Sequence, residues 1–433
     1  MTEGSPRRSP DIDRAIEAVW RIESARLIAG LTRTVHDVAL AEDMAQDALV
    51  AAMEQWPVEG IPSNPGAWLA AVGRRRAIDA LRRRASLERK HGEIGQTIAA
   101  ETTAAIVAAS APPADEAELD DDLLRLVFLA NHPVLSMDAR VALTLRLLGG
   151  LTTEEIARAF LVPEATLAQR IVRAKRTLNE AHVPFEVPAA ADLPGRLRSV
   201  LEVIYLIFNE GYSATTGDSW MRPGLGEEAL RLGRMVAELV PSEPEVRGLI
   251  ALMELQASRF AARVGPDGEP VLLLDQDRRR WDRLLIERGL RALDRAIELG
   301  GTFGPYTLQA SIAACHARAR TADETDWVRI SALYDALAEV APSPIVELNR
   351  AVAVSMAFGP SAGLELIDRL VDEPQLRAYH LLPSVRGDLL ERLGRLDEAA
   401  AEFRRAADLT RNERERDLLL ARAASASATS EDA

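Results

Sequence analysis

The chain has a single cysteine, Cys315, in 433 residues, so no internal disulfide can staple it. Aromatic residues make up only 4% of it, and runs of β-branched residues are few, which argues against sheet-rich classes and for an all-α protein. No apolar run reaches the roughly 18 residues that a membrane span needs. The leader from Met1 to Pro10 carries arginines with no hydrophobic segment behind it, so the expectation is a cytoplasmic protein with no membrane partner. The six histidines include no HExxH and no pair spaced for zinc, and the sequence holds neither a P-loop nor a nucleophile set. No metal, cofactor or catalytic residue is expected, and the chain is not read as an enzyme.

What is abundant is alanine, leucine, arginine and glutamate, in a length that suits two to four domains at roughly 150 residues each. The net charge of −14, taken over the whole chain, disfavours nucleic acid. Local charge decides phosphate contact, however, and Arg74 to Lys90 holds eight basic residues against two acids, Asp79 and Glu88. Six acids gather instead between Asp115 and Asp122.

The most informative stretch is Ser136 to Leu178. Val141, Leu145 and Leu148 recur at helical spacing up to Gly149-Gly150, where a glycine C-cap ends the helix. A second helix follows, capped by Thr152 or Thr153 with Glu155 near its first turn; Ile156, Ala157 and Phe160 form its apolar face before Val162-Pro163. Pro163 and Glu164 open a third, with Leu167, Ile171, Ala174 and Leu178 inward and Gln169, Arg170, Arg173, Lys175 and Arg176 outward. This is a helix-turn-helix with a basic second helix, the arrangement that lays side chains in a DNA major groove.

Asp11 to Arg89 reads as a second helical domain. Its first helix, about Asp13 to Arg33, is amphipathic through Ile16, Val19, Trp20, Ile22, Leu27, Ile28 and Leu31. The next, Val38 to Trp56, turns Met44, Ala48, Val50 and Met53 inward, presents an acidic edge of Glu42, Asp43, Gln46 and Asp47, and is expected to end at Pro57. After a turn-rich loop, AWLAAVGRRRAIDALRRRAS buries Trp68, Leu69, Val72, Ile78 and Leu81 and clusters its arginines outside. Two basic helices in two small domains suggest a shared polyanion. The Ala- and Thr-rich segment between them, with Pro112-Pro113, reads as a flexible linker.

AEDMAQDALVAAMEQW, NPGAWLAAVGRRRAIDALRRR and LTTEEIARAFLVPEATLAQRIVRAKRTL resemble regions 2.2, 2.3 to 2.4 and 4.2 of the extracytoplasmic-function (ECF) sigma factors of bacterial RNA polymerase, over residues 10 to 182. The resemblance implies that Glu42, Asp43, Gln46 and Asp47 dock on core polymerase. It implies that Asn64, Trp68, Arg74, Arg75, Asp79, Arg82 and Arg83 open and read the minus-ten element, and that Glu164, Thr166, Gln169, Arg170, Arg173 and Lys175 read the minus-thirty-five element. Gly73-Arg74-Arg75-Arg76 departs from the Ala-Arg-Asn type of sequence found in many members. Melting needs a cationic groove beside apolar or aromatic platforms, and the Trp68 helix carries both.

Beyond residue 182 comes a strongly apolar helix, RLRSVLEVIYLIFNEGYSAT, then helices alternating with Gly/Pro turns. Gly387, Leu390, Gly394, Ala399, Phe403 and Ala406 fall at tetratricopeptide offsets, and Tyr334 with Pro342 echoes an earlier unit. NEGYSAT, LLLDQDRRRWD, GPYTLQASIAACHA, SPIVELNRAVAVSMAFGP and RGDLLERLGR resemble the tail of the sigma-factor group with a tetratricopeptide-like extension. Two apparent chemical signals are read as structural. Gly224-Leu225-Gly226 follows Met221-Arg222-Pro223 and is a helix start, and Asp275 and Asp277 are neutralised by Arg278, Arg279 and Arg280.

The expected organisation is a region 2 domain at 10–90, a flexible acidic linker at 91–122, a region 4 helix-turn-helix domain at 123–182 and a helical repeat extension at 195–425. The expected partners are core RNA polymerase, promoter DNA and a protein partner of the repeats, with the tail either required for activity or inhibiting it. The alternative is a free-standing helix-turn-helix regulator whose tail senses a ligand or partner.

Overall fold

The structure is a computed structural model that describes residues 10–91, 116–214, 217, 219–266 and 268–431; among them the regular elements are helical, in keeping with the all-α reading. The chain divides into two units, Met1–Val203 and Ile204–Ala433.

In the first unit, α1 (Pro10–Val35), α2 (Val38–Glu59) and α3 (Pro65–His91) pack together. Ala41, Ala45, Ala48 and Ala52 are buried on one face of α2, so the neighbouring helix backbones approach closely around Ile28, Leu31, Trp56 and Leu69. Gly73 belongs to the same packing. A Cβ there would lie 3.1 Å from a Leu31 methyl and 3.3 Å from a Leu27 methyl, so a larger residue would press on α1. Asp37 caps α2 by accepting from the Ala39 and Leu40 amides at 2.8 and 3.1 Å. Asn64 does the same for α3 through the Ala67 amide at 2.9 Å.

Three expectations are corrected here. Helix α2 runs through Pro57 to Glu59, where the Gly60 amide still reaches the Trp56 carbonyl and Gly60 takes the positive φ that stops the helix. Ile22 and Val50 point to solvent, at 69% and 52% exposure, outside the stripe that α1 buries through Ile16, Leu27, Ile28 and Leu31 and the alanine stripe of α2.

The same unit continues with α4 (Glu116–Ala130), α5 (Met137–Leu143), a π-helical segment Thr144–Leu148, α6 (Thr153–Ala159) and α7 (Glu164–Glu180). Leu126, Phe128, Leu143, Leu145, Leu147 and Ile156 are its fully buried core. The acidic run read as part of a linker is helical from Glu116; residues 92–115 lie outside those described.

Helix α8 (Leu193–Tyr212) contains the boundary between the units. Its first half packs in the first unit, where Arg196 donates to the Phe128 carbonyl at 2.8 Å and Arg140 donates to the Ser199 hydroxyl at 2.7 Å. Val200, Val203, Ile204, Ile207 and Phe208 are buried, and Leu206 is not.

The second unit stacks helices that pack chiefly on their sequence neighbours: α9 (Pro223–Leu239), α10 (Pro244–Ala257), α11 (Arg283–Glu298), α12 (Pro305–Arg318), α13 (Trp327–Val340), α14 (Pro344–Phe358), α15 (Pro360–Asp368), α16 (Leu381–Arg392), α17 (Leu396–Leu409) and α18 (Glu413–Glu431). Gly387 of α16 faces the Phe403 ring of α17, where a Cβ would come within 2.8 Å of the ring. Leu390, Ala399, Phe403 and Ala406 complete that layer. The end of this unit is tied to its beginning. Asn412, buried between α17 and α18, donates to the carbonyls of Ala214 and Ser219 at 3.0 and 2.9 Å.

Candidate nucleic-acid interface

The helix-turn-helix is built by local rules. Thr152, of the two candidate threonines, is the cap: its hydroxyl accepts from the Glu155 amide at 3.1 Å, and the Glu155 carboxylate accepts from the Thr152 amide at 2.7 Å. Such a reciprocal capping box is worth about 1 kcal/mol. The turn places Leu161 at φ +50, and α7 starts at Glu164 with Leu167, Ile171, Ala174 and Leu178 facing the core. Glu164, Thr166, Gln169 and Arg173 are therefore exposed on its outer surface. An open groove of about 300 Å³ runs beside them, lined by Ser136, Asp138, Thr166, Gln169, Arg170 and Arg173. Arg170 is half-buried and pairs with Asp138 at 3.2 Å. Arg173 makes no ion pair among the described residues.

Lys175 departs from this set. It is turned toward α2, where its ammonium pairs with the Glu42 carboxylate.

On the other helical domain, Asp43 and Asp47 are exposed one turn apart on α2, and Gln46 is half-buried between them. Burial raises the Asp43 carboxyl above its ordinary value, against the pull of Lys175. Glu42 does not share their exposure. It is 3% exposed and accepts from Arg146 Nε at 2.6 Å and from Gln46 Nε2 at 2.7 Å. The expected four-residue edge is thus an exposed strip plus one buried carboxylate. Spacing along α2 predicts the strip; Arg146, 104 residues away in sequence, gave no local signal.

Along α3, Arg75, Asp79, Arg82 and Arg83 are exposed and Arg74 is half-buried. Asn64 is spent in part on its capping bond. Trp68 is half-buried and meets Trp56 edge to face, with centroids 5.3 Å apart. The indole is thus partly packed and partly accessible, on the same helix as the exposed arginines.

In the second unit the end of α8 meets the irregular segment between α10 and α11. Arg263 lies over the Tyr212 ring at 3.6 Å, and Arg259 over Tyr212 and Trp281 at 5.7 Å each. Arg278 donates to the carbonyls of His316 and Ala319 at 2.7 and 2.9 Å and to the Thr325 hydroxyl at 3.0 Å. Burial, then Arg259 and Arg278, push His316 down to about 3, so it stays neutral in the fold. Asp277 caps a short turn and pairs with Arg279, which holds its carboxyl at about 2. These are braces for the irregular segment between α10 and α11. Among the described residues no group of His, Cys, Asp and Glu is arranged to hold a metal, and no helix is long and apolar enough to cross a membrane.

Residues 22–87 match the family described as Sigma-70 region 2, and residues 133–178 match Sigma-70, region 4. Residues 196–297 match a family of unknown function, DUF6596. The chain is 43% identical over 397 residues to the uncharacterized protein R00370 of Rhizobium meliloti (strain 1021), covering 89% of each. It is 33% identical over 175 residues to the probable ECF RNA polymerase sigma factor SigI of Mycobacterium tuberculosis, in strains CDC 1551 / Oshkosh and H37Rv, covering 40% of this chain and 58% of that protein.

Proposed function

Because the chain belongs to the same family as protein R00370 of Rhizobium meliloti and carries sigma-70 regions 2 and 4, we propose that it is a cytoplasmic sigma factor of the ECF type that brings core RNA polymerase to specific promoters and works through its helical tail. The observation that supports this reading best is the order of three surfaces along the chain. An exposed acidic strip, Asp43 and Asp47, comes first, then the exposed arginines of α3 on the helix that also carries the half-buried Trp68, then the outer face of α7. Charge complementarity suits the strip to a basic polymerase surface. A cationic row beside an indole suits a strand being unpaired, since each base has a face to stack and a phosphate to neutralise. The outer face of α7 suits a major groove, where an arginine forks onto guanine and exposed polar groups reach phosphate. The polymerase would supply the chemistry, so the role asks for no catalytic residue here. The tail, whose layers around Gly387 and Phe403 carry the tetratricopeptide-like offsets, is the part we assign to control or to a protein partner.

Arg170→Ala and Arg173→Ala are each expected to weaken promoter binding by about 1–3 kcal/mol if the side chain reads a base. Arg173 should show the cleaner loss, because Arg170 must first leave Asp138. Footprinting on a bound promoter and on a scrambled sequence separates base from phosphate contact. Unchanged promoter binding by both variants would take α7 out of the reading.

A further inference from the structure

We propose that the second unit binds a small oxyanion, a phosphate or a carboxylate, at Arg259 and Arg263, where the end of α8 meets the irregular segment after α10. The inference concerns the tail by itself and goes beyond the sigma-factor reading, on which it does not depend.

The cluster carries positive charge with nothing beside it to balance it. Arg259, Arg263 and Arg278 are 7%, 8% and 5% exposed, and a guanidinium withdrawn from water is costly unless an anion meets it. Among the described residues no carboxylate pairs with any of the three; the groups that accept from them are neutral. Two acids of the adjoining helices are already engaged, Glu254 of α10 by Arg234 and Arg288 and Glu210 of α8 by Arg222. Glu324 offsets part of the charge on Arg278 alone.

Donors are in surplus as well as charge. Among the described residues thirteen buried side-chain nitrogen and oxygen atoms lack a hydrogen-bond partner, and six of them belong to this neighbourhood: Nε of Arg259 and Arg278, Nε1 of Trp220 and Trp281, Nδ1 of His316 and Oε1 of Gln276. The first four can only donate, the neutral His316 ring can present a proton at Nδ1, and Gln276 supplies the single acceptor. The groups are linked by stacking: Arg263 lies over Tyr212 at 3.6 Å and Trp220 at 5.6 Å, Arg259 over Tyr212 and Trp281, and Arg278 over Trp281 at 4.9 Å. Cations ringed by donors are complemented by an oxyanion, whose oxygens accept several hydrogen bonds while cancelling charge.

Bracing explains Arg278, which is fixed on two backbone carbonyls and Thr325. It does not explain Arg259. That guanidinium is held only by side chains, the Tyr212 hydroxyl at 2.5 Å and the Gln256 amide oxygen, so its fork can turn to an anion without breaking a backbone bond. Arg263 spends its Nε on a weak acceptor, the Met221 sulfur at 3.1 Å. The planar forks of these two match the paired oxygens of a phosphate or carboxylate. Both keep a small exposed area beside the half-buried Tyr212 and Trp220, and that side gives the anion its way in.

The test titrates the full-length chain with inorganic phosphate, with malonate and with chloride at matched ionic strength, by calorimetry and by the thermal melt. Phosphate or malonate is expected to give saturable heat at one site per chain and to raise the melting temperature by roughly 3 °C or more at saturation, by mass action; chloride should do neither. A response to phosphate alone assigns a phosphoryl ligand, to malonate alone a carboxylate, and to both the shared chemistry. Arg259→Gln should lose about ten-fold or more in affinity, and Arg259→Lys, which keeps the charge, should lose less. Should Arg259→Gln not fold, Arg259→Lys and Arg263→Gln carry the comparison. No saturable heat with either oxyanion overturns the proposal. Heat and melting shifts of the same size in the folded variants would mean an adventitious ion only, and overturn it too. No polymerase enters the experiment, so its failure leaves the sigma-factor reading standing.

Discussion

Asp43→Arg combined with Asp47→Arg is expected to abolish co-purification with core polymerase and leave the thermal melt followed by circular dichroism nearly unchanged. Both side chains are exposed on α2, so neither reversal buries a charge or opens a cavity, and surface changes of this kind usually stay within about 0.5 kcal/mol of the parent stability. Binding is different. Two charges of the wrong sign against a basic surface cost about 3 kcal/mol or more, a factor of roughly 100 or greater in affinity. An arginine at position 43 would also repel Lys175, which acts on the native carboxyl. Retained binding would move the interface elsewhere on the chain.

Truncation after Glu186 is expected to leave both sigma regions in place yet remove most promoter-dependent transcription. The cut takes away Leu197, Val200 and Leu201, which are buried in the first unit, together with the Arg196 and Ser199 hydrogen bonds to the region 4 side. Loss of that packing alone would weaken the helix-turn-helix, since each large apolar side chain removed from a core costs about 2–5 kcal/mol. A second cut, after Val203, keeps the first unit whole and removes only the second. If the tail is required in its own right, this protein too should be folded and inactive. Deletion from Leu381 should reduce activity as well, because it removes Asn412 and with it the hydrogen bonds that tie the end of this unit to Ala214 and Ser219. The measurement is transcript yield at equal concentrations of folded protein. A form cut after Val203 that outperforms the full chain would make the tail an inhibitor.

Much of the first unit is legible in sequence because its rules are local. The capping box at Thr152, the inward stripe of α7 and the Asn64 start of α3 all lie within a few residues of the signals that predict them. Pro57 misled for the same reason: local preference ends a helix there, while the last turn continues to Gly60. The π-helical segment had no signal, since the apolar spacing of Leu145 and Leu148 is equally helical either way. Glu42 was readable as an acid on the α2 edge, but its burial depends on Arg146 and Lys175, more than a hundred residues further on. The tail shows the same division. Gly387 and Phe403 announce their own layer, whereas the brace of Arg259, Arg263 and Arg278 on Tyr212 and Trp281, and the Asn412 tie, join segments that look unrelated in the chain.

The central claim is that this chain alone confers initiation on core polymerase, and run-off transcription tests it most directly. Purified full-length protein is mixed with bacterial core polymerase free of any other sigma factor and with a pool of linear intergenic fragments from its own genome. The account predicts discrete transcripts that appear only when the protein is present and that are lost with Asp43→Arg/Asp47→Arg. No transcript with core polymerase, together with altered output from an already assembled holoenzyme, would contradict it and make the protein a helix-turn-helix regulator.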